Sequence, residues 1–131
     1  SNVMKIIEDN NLQDKVKFWG PRKDIFKILM NMDMLISASR GEALPTVMIE
    51  ALYSEVPMIS SDCDYGPKEI LDNGEYGLIF KVDDYKGLAK CFNRLVNDNN
   101  LYNDFLNKSK ERSKLFTYDK CINSYLSILN E

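Results

Sequence analysis

Met34-Leu35-Ile36-Ser37-Ala38-Ser39-Arg40-Gly41-Glu42-Ala43-Leu44-Pro45-Thr46-Val47-Met48-Ile49-Glu50-Ala51-Leu52 is the stretch that decides the fold. Its first five residues form an apolar run too short for a helix, the pattern of a strand covered on both faces of a sheet. Pro45 follows a short loop and suits the start of a helix. Its fixed φ is already helical, and the N–H it lacks would be unpaired there anyway. That helix is predicted to run to about Ser54, after which Pro57-Met58-Ile59-Ser60 reads as another short buried strand. Strand, helix, strand is the unit from which parallel sheets are built.

Upstream, residues 3–10 read as the end of a helix, and Val16-Lys17-Phe18-Trp19 as a short strand stopped by Gly20-Pro21. Asp24 is the expected N-cap of a helix with Ile25, Ile28, Leu29 and Met32 at helical spacing. Downstream, Gly66-Pro67-Lys68-Glu69-Ile70-Leu71 suggests one or two helical turns closed by Asp72-Asn73-Gly74, and Tyr76-Gly77-Leu78-Ile79-Phe80 a fourth strand. Asp83 or Asp84 can cap a helix striped by Leu88, Phe92, Leu95 and Val96. Two more helices are predicted over 100–114 and 118–130, the last with Ile122, Tyr125, Leu126 and Leu129 on one face. The expected fold is α/β: a Rossmann-like parallel sheet with flanking helices, one domain over 1–131. Four strands are few for such a sheet and a helix comes first, so one or two strands are expected upstream.

Composition narrows the chemistry. With 131 residues and 44% apolar side chains the chain can build a core. A net charge of −3 without blocks of like charge gives nucleic acid no electrostatic footprint. The absence of histidine excludes Ser-His-Asp and Cys-His catalysis and histidine metal ligation. Cys63, Cys91 and Cys121 form no CxxC pair, which suits reduced, mostly buried thiols in a cytoplasmic protein. No apolar run is long enough to span a bilayer, and the opening residues do not resemble a secretory leader. Any chemistry must come from carboxylates, hydroxyls, cations or backbone groups.

Glu50 is the odd residue. It sits in an almost wholly apolar helix, with no Lys or Arg three or four positions away, so its carboxylate is expected to be partly buried. Such a group is costly unless it accepts hydrogen bonds, from ligand hydroxyls or from Thr46 or Tyr53. Glu42, eight positions earlier, lies in the loop where a strand's carboxyl end meets a helix N-terminus. Open parallel sheets place ligands in that crevice, and free N–H groups near Pro45, Thr46 and Val47 would favour an anion.

In this context the stretch resembles the Glu-x7-Glu motif of the group 1, retaining glycosyltransferases of family 4, within the C-terminal domain of their GT-B fold. The family's Glu-Gly-Phe-Pro and Glu-Ala stand here as Glu42-Ala43-Leu44-Pro45 and Glu50-Ala51. Val16-Lys17-Phe18-Trp19-Gly20, Val56-Pro57-Met58-Ile59-Ser60-Ser61, Gly66-Pro67-Lys68-Glu69-Ile70 and Asn73-Gly74 with Gly77-Leu78-Ile79 are similar to further family segments. Ala43, Leu44 and Glu55 depart from it. Glu55 replaces a glycine that ends the helix in a left-handed conformation, where Glu would cost roughly 1 kcal/mol.

The resemblance implies a site for a UDP-, GDP- or ADP-sugar donor without a bound metal. Glu42 would lie by the hexose as the catalytic residue, with the Ala43 and Leu44 amides reaching the sugar. Glu50 would hold the ribose hydroxyls, amides around Thr46 and Val47 would face the phosphates, and Pro21 and Arg22 would border the base. It also implies that the diphosphate-neutralising cations and an N-terminal acceptor domain lie outside these residues, leaving this part inactive alone. The whole enzyme is expected at the cytoplasmic side of the membrane, transferring to glycan or lipid-linked acceptors. An uncovered sheet edge could pair with another copy of the chain. The alternative is a non-catalytic α/β module binding a nucleotide or a partner. Trp19 and Phe18 are expected in core and edge packing, and Asp62 and Asp64 as solvated loop residues rather than a metal pair.

Overall fold

The computed structural model describes residues 2–117 together with 119, 120, 123, 126 and 127. The helix expected over 118–130 and Cys121 therefore fall largely or wholly outside the described residues. The elements are α1 (Asn2–Asp9), α2 (Ile25–Leu29), β1 (Leu35–Ser37), α3 (Thr46–Tyr53), β2 (Met58–Ser61), α4 (Pro67–Ile70), β3 (Leu78–Phe80), α5 (Tyr85–Asn97) and α6 (Asn99–Ser113). Short 3-10 turns follow α4 and α6.

The three strands form one parallel sheet in the order β1-β2-β3, with Ile36 opposite Ile59 and Ser60 opposite Ile79. Because side chains alternate along a strand, β2 feeds both faces. Met58 joins Leu29, Met48, Ala51, Leu52, Val56, Ile70 and Leu71 under α2, α3 and α4. Ile59 packs on the other face with Leu78, Phe80, Leu95 and Phe105, under α5 and α6. Helices on both faces of a parallel sheet make this the expected α/β architecture.

Four local expectations are corrected. Val16–Trp19 is no strand among the described residues: it has no ladder partner, and Phe18 and Trp19 are exposed rather than packed. An extended segment needs a neighbour to pair with before its pattern becomes a strand. β1 is not covered on both faces, because it is an edge strand and Ile36 remains exposed. Along α5 only Leu95 is buried, while Phe92 and Val96 of the same stripe are exposed. Asp24 stands at the start of α2, but its carboxylate binds Arg22 instead of capping the helix, and the helix ends at Leu29.

Helix ends elsewhere follow the sequence closely. Asp84 caps α5 by accepting from the Gly87 N–H at 2.8 Å. Glu55 has the left-handed conformation inferred from the glycine it replaces, with φ of 56°. Its N–H donates to Leu52 and that of Val56 to Ala51, closing α3 as a left-handed C-cap. Cys63 is buried and Cys91 half-buried, both as free thiols. No helix among the described residues is long and apolar enough to cross a membrane.

Candidate functional site

Parallel strands bring their carboxyl ends to one edge of the sheet, so the loops after β1, β2 and β3 share a rim. The β1 loop, Ala38–Pro45, carries Glu42. Its carboxylate is half-buried and accepts a hydrogen bond from Ser39 Oγ at 2.6 Å. Ser39 is held in turn: Ser61 Oγ, at the end of β2, donates to the Ser39 carbonyl at 2.5 Å. Arg40 pairs with Asp83 of the β3 loop at 2.8 Å, an exposed bridge across the rim. Lys68 at the start of α4 pairs with Asp62 at 2.8 Å. No cluster of three or more metal-ligating side chains occurs among the described residues.

Pro45 bridges loop and helix. It precedes the first residue of α3 with φ of −76° and ψ of 82°, the inverse γ-turn geometry. The Thr46 N–H is thereby turned back to the Leu44 carbonyl, at 2.9 Å. Thr46 was expected to offer a free amide, and the turn removes it. The N–H groups of Ala43, Leu44 and Val47 have no acceptor among the described residues. Leu44 is well exposed and Val47 half-buried. These three expected donors therefore stay free at the rim.

Glu50 lies one turn further along α3. It is half-buried, whereas Met48, Ala51 and Leu52 on the same helix are fully buried. Neither Thr46 nor Tyr53 bonds it, and its carboxylate has no hydrogen bond or ion pair among the described residues. Pro21 and Arg22 lie on the exposed segment before α2. The Arg22 guanidinium grips Asp24 through Nε and Nη2 at 2.8 and 2.7 Å, and this hydrogen bonding holds the Asp24 carboxyl below its ordinary range. No hydrogen bond or ion pair joins them to the Glu42 loop among the described residues.

Two contributors escaped the sequence reading, namely Ser61 and the Arg40–Asp83 bridge. Ser61 left a signal. It stands with Ser60 at the end of an otherwise apolar strand, and a buried hydroxyl must find an acceptor. The bridge left none, since 43 residues separate its ends.

Residues 1–112 match the family described as glycosyl transferases group 1. An α-1,4-N-acetyl-D-galactosaminyltransferase of Campylobacter jejuni, named for a GalNAc-GalNAc-diNAcBac chain on diphospho-undecaprenol, is 33% identical over 117 residues, covering 89% of this chain and 33% of that protein. An exopolysaccharide phosphotransferase of Streptomyces coelicolor is 30% identical over 132 residues, covering 100% of this chain and 14% of that protein. The chain thus spans a third or less of either relative's length. Among solved structures, a variant of TarM from S. aureus in complex with fondaparinux, alpha-GlcNAc-glycerol and UDP superposes with a TM-score of 0.86 at 26% identity, over 99% of this chain and 27% of that one. The sheet and the match over 1–112 agree: the chain belongs to the group 1 glycosyl transferases, with the GT-B type of fold.

Proposed function

We propose that the rim between the β1 loop and α3 binds the nucleoside diphosphate sugar donor of a retaining, family 4 glycosyltransferase. The carrying observation is Glu50. A half-buried carboxylate on an apolar helix, without a hydrogen bond or cation of its own, suits a vicinal diol, whose two hydroxyls match its two oxygens. In this reading Glu50 takes the ribose hydroxyls and Glu42 lies by the donor hexose. The unpaired amides of Ala43 and Leu44 reach the sugar, and the Val47 amide faces the phosphates. Thr46 contributes through its exposed hydroxyl, its amide being used in the turn. Pro21 and Arg22 border the base by their backbone. The TarM complex with UDP supports a nucleotide at this fold, and UDP, GDP and ADP sugars all fit the reading.

Retaining transfer needs the leaving diphosphate's charge stabilised and an acceptor hydroxyl held at the anomeric carbon. Within residues 1–131, taken as one donor-binding domain, Arg40 and Lys68 at the rim are already paired with aspartates. In this reading diphosphate stabilisation and acceptor binding belong to a further, N-terminal part of the enzyme, and residues 1–131 are inactive alone and work without a bound metal. The acceptor is a glycan or a lipid-linked sugar, as the name of the Campylobacter relative suggests, handled at the cytoplasmic face of a membrane.

Thermal unfolding with millimolar UDP, GDP and ADP and their sugars tests this. A ligand at ten times its Kd stabilises the native state by about 1.4 kcal/mol, several degrees in Tm. A base-selective shift, abolished in Glu50→Gln, is the expected result. No shift with any nucleotide would favour a non-catalytic module.

A further inference from the structure

We infer that Ser39 and Ser61 are positioning residues that aim the Glu42 carboxylate at the donor sugar, an inference that rests on the donor-site reading above. The loop carrying Glu42 has little else to hold it. Between Ser39 and Leu44 no backbone N–H finds a protein acceptor among the described residues, and the Arg40–Asp83 bridge is exposed at both ends. Exposed ion pairs of this kind order a loop weakly. What remains is a relay of two hydroxyls. Ser61 Oγ, 1% exposed and anchored in β2, donates to the Ser39 carbonyl and so fixes that peptide against the sheet. Ser39 Oγ then donates its one proton to Glu42 Oε1 at 2.6 Å.

Two consequences follow from this arrangement. One carboxylate oxygen is occupied by protein, so Oε2 is left for a ligand hydroxyl, and the direction in which it points is set from β2. Ser61 is too deeply buried to touch a ligand, so any effect it has on sugar binding passes through Ser39 and Glu42.

Calorimetric titration of the chain with UDP and UDP-N-acetylglucosamine, GDP and GDP-mannose, and ADP and ADP-glucose provides the test. The quantity read is the affinity of the nucleotide sugar relative to its free diphosphate. Ser39→Ala and Ser61→Ala are expected to lower that ratio about fivefold while leaving the free-diphosphate affinity within about twofold. Ser61→Thr, which keeps the hydroxyl, should retain the ratio. In a Glu42→Gln background, Ser39→Ala should change it no further. Equal weakening of both ligands, an unchanged ratio, or the same loss in the Glu42→Gln background would overturn the inference while leaving the donor site standing. If Ser61→Ala does not fold, the half-buried Ser39 decides alone. Binding of none of the six probes would overturn the donor-site reading, and this inference with it.

Discussion

A β-carbon added to Gly66 would lie 2.5 Å from Cδ of Pro45, so the loop after β2 rests directly on the residue that opens α3. Gly66 also holds φ of 98° with ψ of −61°, a region essentially closed to other residues. Gly66→Ala therefore meets both a steric and a conformational barrier. We expect it to cost about 2–3 kcal/mol, read as a fall of roughly 6–12 °C in Tm. An unchanged Tm would show that Pro45 can withdraw freely, and that the two loops are not braced.

Glu55 offers the opposite change. It occupies the left-handed closing position of α3 with φ of 56°, and its only charged partner among the described residues, Lys110, stands 4.0 Å away on the surface. Glu55→Gly should raise stability by up to about 1 kcal/mol in chemical denaturation, because the relieved strain exceeds the weak ion pair lost. A destabilised variant would mean that the glycine's extra freedom in the unfolded chain outweighs that strain.

How much of this was legible beforehand differs by element. The conformation of Glu55 was readable because a single residue fixes a C-cap, and α3 was placed within a residue because Pro45 marks its start. Glu50's partial burial was likewise written in the apolar residues around it. Val16–Trp19 was misread because a strand is a property of a pair of segments, and the alternation of one segment says nothing of its neighbour. The same holds for Ile36, Phe92 and Val96, whose pattern promised burial that no covering element supplies among the described residues. The relay to Glu42 and the bridge from Arg40 join residues 22 and 43 positions apart across the sheet, a distance over which spacing carries no information.

Arg112 on α6 should matter to stability. Its Nε donates to the Ile70 carbonyl at 2.9 Å and its Nη2 to that of Glu69, closing the C-terminal end of α4. The guanidinium also lies 4.8 Å from the Tyr76 ring centre and 5.6 Å from that of Phe116. Arg112→Ala should cost about 2–3 kcal/mol, from unpaired carbonyls and lost stacking. Arg112→Lys should recover less than half of that in urea denaturation, since an ammonium has no planar fork. Full recovery would reduce the role of Arg112 to its charge.

Asp24 supplies a test by pH. The Arg22 hydrogen bond lowers its folded pKa below the ordinary 3.8, so the pair's contribution to stability is complete above that value and is lost as the pH falls through the folded one. NMR titration should find the Asp24 midpoint below 3.8, and Arg22→Gln should return it toward that value. A midpoint unmoved by the variant would show that the two side chains do not pair in solution.

The arrangement of charge at the rim has a consequence for ionic strength. Arg40 is matched by Asp83 and Lys68 by Asp62, whereas Glu42 and Glu50 face no cation within 4 Å among the described residues. A diphosphate approaching this rim meets net negative charge, held off from the carboxylates only by backbone amides and hydroxyls. Added electrolyte screens that repulsion, over a Debye length that shrinks to about 8 Å at physiological salt. The chain should therefore hold a nucleotide as well in 0.3 M sodium chloride as in dilute buffer, or better, the reverse of a site built on lysine and arginine.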